Sequence, residues 1–156
     1  MTTDRRHWDT SDFEQMSWHD VHVHGFRFAR ENPEQGTIDL ILDIDYILEW
    51  RYEDERFAFA VAQAALTFRE VFGLKFSLDY ATPTIGMCAF SIGEIKREEI
   101  VYPTGHRSYR WLIDINCPDG RIEFQSPGFV QQQVGEPRMQ AGQRLDEADR
   151  NVSDRR

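Results

Sequence analysis

The segment 37–50, T-I-D-L-I-L-D-I-D-Y-I-L-E-W, constrains the fold most, because large apolar side chains occupy every second position along it. Successive side chains of a strand point to opposite faces, so this alternation predicts one long, half-buried strand. One face would be entirely apolar, and the other would carry carboxylates interrupted by Ile41 and Ile47. The carboxylates of this predicted acidic face are Asp39, Asp43, Asp45 and Glu49.

Other segments repeat the alternation. In 22–28 the apolar positions change parity at Gly25, which predicts a β-bulge, and this segment is expected to form a hairpin with 37–50. The segments 109–116 and 121–125 flank a Pro-Asp-Gly turn and predict a second hairpin. We therefore expect a mainly β protein, an antiparallel sandwich or an open barrel.

The segment 57–72 is compatible with two structures. Apolar residues recur with helical spacing from Phe57 to Phe72, and Gly73 follows as a helix cap would. Apolar residues also alternate on both sides of Gln63, which favours two strands. Strands are the preferred interpretation, and one helix packed on the sheet is the alternative.

The composition divides the chain into three parts. Residues 1–15 are mostly polar and are predicted to form a flexible N-terminal arm, whereas 16–136 carry enough alternating apolar residues for a single β domain. Residues 137–156 have few large apolar side chains, so we expect a disordered tail. Cys88 and Cys117 are too few for a disulfide framework and indicate free thiols in a reducing compartment.

The charge of the chain narrows the classes of partner. The formal net charge is −9, and no basic cluster forms a footprint for phosphate backbones, so nucleic acid is not an expected partner. The N-terminal region contains no apolar run of signal-peptide or membrane-spanning length. The sequence therefore predicts a cytoplasmic protein that is not bound to membranes.

A histidine cluster is the strongest candidate for chemistry. His22 and His24 are two positions apart on a predicted strand, and His19 lies just upstream. Two imidazoles on one strand face can bind a metal ion together with a carboxylate such as Asp43 or Asp45 from the neighbouring strand. The alternative is that these histidines are simply polar residues on an exposed face.

The acidic face favours a different function. Ile41 and Ile47 lie among carboxylates, and apolar side chains surrounded by charge are typical of a surface that binds a protein. No phosphate loop, nucleophile elbow or nucleotide fingerprint occurs in the sequence, and no cofactor is expected. We therefore expect a non-catalytic protein that binds a partner protein, or a second copy of itself, through this face. The alternative is a metal-binding protein or metal-dependent hydrolase that uses the histidine cluster.

Three stretches of sequence also resemble a family. They are S-W-H-D-V-H-V-H-G at 17–25, L-I-L-D-I-D-Y-I-L-E-W at 40–50 and A-A-L-T-F-R-E-V-F-G-L-K at 64–75. Together they resemble a family of small bacterial proteins, a domain of unknown function, over about residues 16–130. The resemblance implies a bacterial origin and names no activity.

Overall fold

The computed structural model describes residues 5–81 and 86–150, which form nine β-strands and two short 3₁₀ helices. The helices are Thr10–Gln15 and Glu147–Asp149. The strands are β1 His7–Asp9, β2 His22–Asn32, β3 Thr37–Glu53, β4 Arg56–Leu78, β5 Phe90–Val101, β6 Arg107–Cys117, β7 Gly120–Ser126, β8 Gly128–Gln133 and β9 Arg138–Gln140.

The hairpin of β3 and β4 organises the single antiparallel sheet. β3 pairs along almost its whole length with one edge of β4, over residues 56–71 of β4. The other edge pairs in turn with β9, β8 and β7. Because β3 continues through β2, β5 and β6 to β7, these pairings join the sheet into a ring-like arrangement.

The core lies on the apolar face that the alternation predicts. Leu40, Leu42 and Ile44 of β3 are fully buried. Aromatic side chains fill much of the remaining space, and Phe68 of β4 packs edge-on against Trp111 of β6 with ring centroids 5.1 Å apart. Contacts of this geometry add to the free energy of burial of large rings.

Two predicted hairpins are confirmed. β2 pairs with β3, and the register shifts between Val23 and Gly25, where the sequence predicts a bulge. β6 pairs with β7 around the predicted turn. The mainly β, antiparallel fold class is thus confirmed, whereas the alternative helix over 57–72 is not, because that segment lies within the continuous strand β4.

The structure describes part of the predicted N-terminal arm and part of the predicted C-terminal tail. Within residues 5–15 of the predicted arm, β1 pairs with β8, and the ring centroid of Phe13 lies 5.5 Å from that of Trp111. Within residues 137–150 of the predicted tail, β9 pairs with β4, and Leu145 and Arg150 are buried. Residues 1–4 and 151–156 lie outside the described part of the chain.

The helices of the structure bear on the expectation that the protein is not bound to membranes. Within residues 5–81 and 86–150, no helix has the length and apolar character needed to cross a bilayer.

Candidate functional site

The C-terminal segment 138–150, which we call the strap, lies against the acidic face of β3. It begins with β9, whose Arg138 is paired with Val61 of β4. On the same sheet, Asp45 of β3 is paired with Gln63 of β4 on one side and with His22 of β2 on the other. The centre of the predicted acidic face is therefore bordered by two strands and approached by the chain's own C-terminal segment.

Arg150 is the contact that joins the strap to this face. Its side chain is fully buried, and its guanidinium forms ion pairs with both Asp43 and Asp45. Asp45 is also fully buried and accepts the backbone N–H of Leu145 at 2.9 Å. Two carboxylates on one strand face thus bind one guanidinium. The planar fork of arginine fits such carboxylates better than the ammonium group of lysine does.

Two residues of neighbouring strands hold the carboxylates in place. His24 Nε2 of β2 lies 2.7 Å from Asp45 Oδ2. Gln63 Nε2 of β4 donates to Asp43 Oδ1 at 3.2 Å. The group that binds Arg150 is therefore assembled from β2, β3 and β4.

The remaining residues of the predicted acidic face do not join this group. Asp39 is buried at the far end of β3, where it accepts the backbone N–H of Glu70 at 3.0 Å. Ile41 is half-buried and Ile47 is buried. Glu49 is half-exposed, and its hydrogen bond from Arg51 lowers the pKa of the Glu49 carboxyl. The predicted face is thus not a continuous open surface.

The three candidate metal-ligating histidines have different surroundings. His24 contacts Asp45, whereas His19 is largely exposed and its Nδ1 lies 3.0 Å from the carbonyl oxygen of Gly93. Burial lowers the pKa of His22, and the nearby positive charge of Arg144 lowers it further. In the part of the chain that the structure describes, no group of three or more histidine, cysteine or acidic side chains could hold a metal ion.

The turn at Asp20, next to the candidate histidines, is hydrogen-bonded to the strap. Asp20 has a φ of 63°, which is uncommon for a residue with a side chain. Its carboxylate accepts hydrogen bonds from the side-chain amides of Asn116 at 2.9 Å and Gln143 at 3.1 Å. The neighbouring ring of His19 stacks on Trp50 at a centroid distance of 6.2 Å. This turn therefore lies between the strap and the end of the long hairpin.

The end of the β3–β4 hairpin carries four aromatic side chains on one face, which we call the aromatic face. They form two cross-strand pairs, Trp50 with Phe59 and Tyr52 with Phe57, whose ring centroids are 4.9 and 4.8 Å apart. Trp50, Tyr52 and Phe57 are 46%, 63% and 57% exposed. Residues 141–143 of the strap border the same surface.

The sequence pattern placed Trp50 in the core, and a register shift explains the error. Ile47 pairs with Val61 and Trp50 pairs with Phe59, so one residue is added on β3 between these pairs. Because Phe59 and Val61 are two positions apart on β4, Trp50 shares a face with Ile47 and Asp45. Aromatic residues at 57 and 59, directly across the turn, were the available signal.

The turn of the hairpin is acidic and conformationally unusual. Asp54 and Glu55 have φ values of 51° and 61° and are exposed. A two-residue hairpin turn with both φ values positive normally carries Asn-Gly or Asp-Gly. A carboxylate side chain therefore occupies a position that glycine would fill with less strain.

The outer surface of the hairpin thus combines a carboxylate pair that binds a guanidinium with an exposed aromatic face beside an acidic turn. Neither arrangement contains a nucleophile activated by a base. A comparison of the chain with models of protein families, with curated proteins and with solved structures returns no significant match.

Proposed function

We propose that this protein is a non-catalytic binding module that docks a partner protein on the aromatic face of its β3–β4 hairpin. The observation that supports it most is the exposure of Trp50, Tyr52 and Phe57 side by side. Tryptophan and tyrosine supply a large share of binding free energy in protein interfaces, because they bury much area and lose few rotamers. A group of three such residues in water is typical of an interaction surface.

Charge defines the kind of partner. The hairpin end carries four carboxylates and two arginines. The side chains that alternate with the aromatic residues point to the opposite face, so the charge beside the aromatic face comes from the turn residues Asp54 and Glu55. An apolar patch beside these two carboxylates complements a partner whose apolar contact is flanked by lysine or arginine. The carboxylates are Glu49, Glu53, Asp54 and Glu55, and the arginines are Arg51 and Arg56.

The strained turn supports the same surface. Asp54 and Glu55 both occupy the left-handed region, at a cost to the stability of the hairpin. Strain of this kind is concentrated at sites that bind ligands or partners. Retaining a carboxylate where glycine would fit better is consistent with a role for that charge in docking.

This proposal keeps the expected partner protein and moves its site along the hairpin. Glu49 points to the side of the hairpin opposite Trp50, and Asp43 and Asp45 are engaged by Arg150. The alternative of a metal centre has one contact in its favour, His24 with Asp45, but His19 lies at Gly93 and the described residues contain no group of three or more potential ligands.

Site-specific photo-crosslinking in cells that produce the chain tests the proposal. A photoreactive phenylalanine analogue replaces Tyr52 in one variant and Phe28, which is 48% exposed on β2, in the matched control. We expect one discrete crosslinked protein from the Tyr52 position and none from the Phe28 position.

The same complex gives an affinity test once its partner is identified. Trp50→Ala should weaken binding at least about 10-fold, as expected for a central aromatic residue. Phe28→Ala should leave the affinity unchanged, and higher salt should weaken binding by screening the acidic turn. Equal effects of Trp50→Ala and Phe28→Ala would contradict the proposal.

A further inference from the structure

We propose that Asp43 and Asp45 form an arginine-binding site that the chain fills with its own Arg150 and that accepts an arginine side chain from outside when Arg150 is absent. The proposal does not depend on the aromatic face, because the ion pairs of Arg150 define the site. It identifies the chemical group that the site recognises, a guanidinium carried on a flexible side chain.

The receptor side of this site belongs to the sheet. Asp43 and Asp45 lie two positions apart on β3 and therefore point to the same face. Gln63 of β4 contacts the first carboxylate, and His24 of β2 contacts the second. Since these three strands are paired with one another, we expect the carboxylates to stay in position when the strap is not bound.

The occupant side belongs to a segment with few other anchors. Only Leu145 and Arg150 of the strap are buried, and most of its other residues are exposed. β9 contributes a short ladder to β4, and Gln143 donates one hydrogen bond to Asp20. A segment held mainly by two side chains can leave the sheet without unfolding it.

The buried ion pair of Arg150 is better suited to recognising a guanidinium than to covering the sheet. A buried ion pair gains little stability compared with apolar side chains of the same volume, because both charges must be removed from water. Such a pair is instead selective, since a group without matching charge leaves buried carboxylates unpaired. A strap that merely covered the sheet would need only apolar side chains such as the buried Leu145.

Thermal unfolding of the full-length Arg150→Ala variant with added N-acetyl-arginine amide tests the site. A ligand that binds only the folded protein raises the unfolding temperature as its concentration rises. We expect a saturable increase with the arginine derivative in this variant and no increase in the wild-type protein, whose site is filled. N-acetyl-lysine amide, which has the charge but lacks the planar fork, should give a much smaller shift.

Two further variants serve as controls. Arg138→Ala removes an exposed arginine of the same strap and should respond like the wild type. The double variant Asp45→Asn with Arg150→Ala should lose the response to arginine, because the fully buried carboxylate is gone. If Arg150→Ala does not fold alone, recovery of its folded spectrum on adding the arginine derivative is the same readout, and Arg150→Gln provides a less disruptive variant.

Each result decides the proposal. An arginine-selective response that requires Asp45 supports it. Equal responses to the arginine and lysine derivatives would overturn it, because they would reflect general charge effects. No response in either Arg150 variant would also overturn it, and would leave the aromatic face and its crosslinking test unaffected.

Discussion

Replacing Arg150 with alanine should lower the free energy of unfolding by about 3 kcal/mol. The substitution leaves the fully buried Asp45 without its guanidinium partner. Removing one member of a buried ion pair typically costs about 3 to 5 kcal/mol, because the remaining charge is desolvated and uncompensated. Asp45 retains His24 and the N–H of Leu145 as partners, which places the loss at the lower end of that range.

Urea unfolding followed by tryptophan fluorescence measures this loss. Trp18 and Trp111 are buried, so their fluorescence reports the loss of core packing on unfolding. With an m-value of about 2 kcal/mol per molar urea, the midpoint should fall by about 1.5 M. Urea is suitable because it is uncharged, whereas guanidinium carries the group that the site binds.

Two comparisons show whether the loss in the free energy of unfolding comes from the burial of the ion pair or from its charge alone. Arg138 pairs with Asp149 at 3.0 Å while 58% of its side chain is exposed, so Arg138→Ala should cost less than about 1 kcal/mol. Asp45→Asn combined with Arg150→Ala should cost less than the sum of the two single changes, because the residues interact directly. A loss of stability no larger for Arg150→Ala than for Arg138→Ala, or additive effects of the two changes at the buried pair, would show that Arg150 and Asp45 do not stabilise the fold as a buried pair.

Three further changes have expected outcomes. Glu55→Gly should raise the free energy of unfolding by about 1 kcal/mol, measured in urea, because glycine adopts a φ of 61° with less strain; a loss of stability would contradict this. Burial lowers the pKa of His22 from 6.5, so the unfolded chain binds the proton more readily and stability is lost as the pH falls below that value. The variant His22→Gln should therefore lose less stability between pH 7 and pH 5 than the wild type, and parallel pH profiles would show that His22 does not contribute. Gly120→Ala should destabilise the fold by about 2 kcal/mol or more, since its Cβ would lie 2.2 Å from the backbone oxygen of Ser77, whereas Gly25→Ala meets no atom within 4 Å and should cost less; equal thermal midpoints would contradict this.

Local patterns predicted the sheet better than its connections. The alternation along 37–50 identified β3, and the parity change at Gly25 identified the bulge in β2, because both depend only on which side of a strand each residue faces. The segment 57–72 is ambiguous in the sequence because its local spacing fits both a helix and strands. Its alanines suit either structure, and the continuous strand β4 is stabilised by pairing with β3 on one edge and with three strands on the other.

The candidate site was partly visible in the sequence. Asp43, Asp45 and His24 were recognised as residues that share strand faces, and the structure brings them together. Their role was not predictable, because the partner of both carboxylates is Arg150, more than a hundred positions away in a segment whose composition indicates disorder. Such a segment becomes ordered when a few buried contacts offset its loss of conformational entropy.

The sequence by itself determined the fold class, the long strand and the apolar face of β3, since these follow from the alternation of side chains along one strand. Only the tertiary structure decided which charges are paired and which aromatic rings are exposed. Arg150 reaches Asp43 and Asp45 because the chain after β9 brings Leu145 and Arg150 onto the outer face of β3, and Trp50 faces outward because one extra residue in β3 shifts the register. Both outcomes depend on how distant strands align, and that alignment is set by the free energy of the whole sheet.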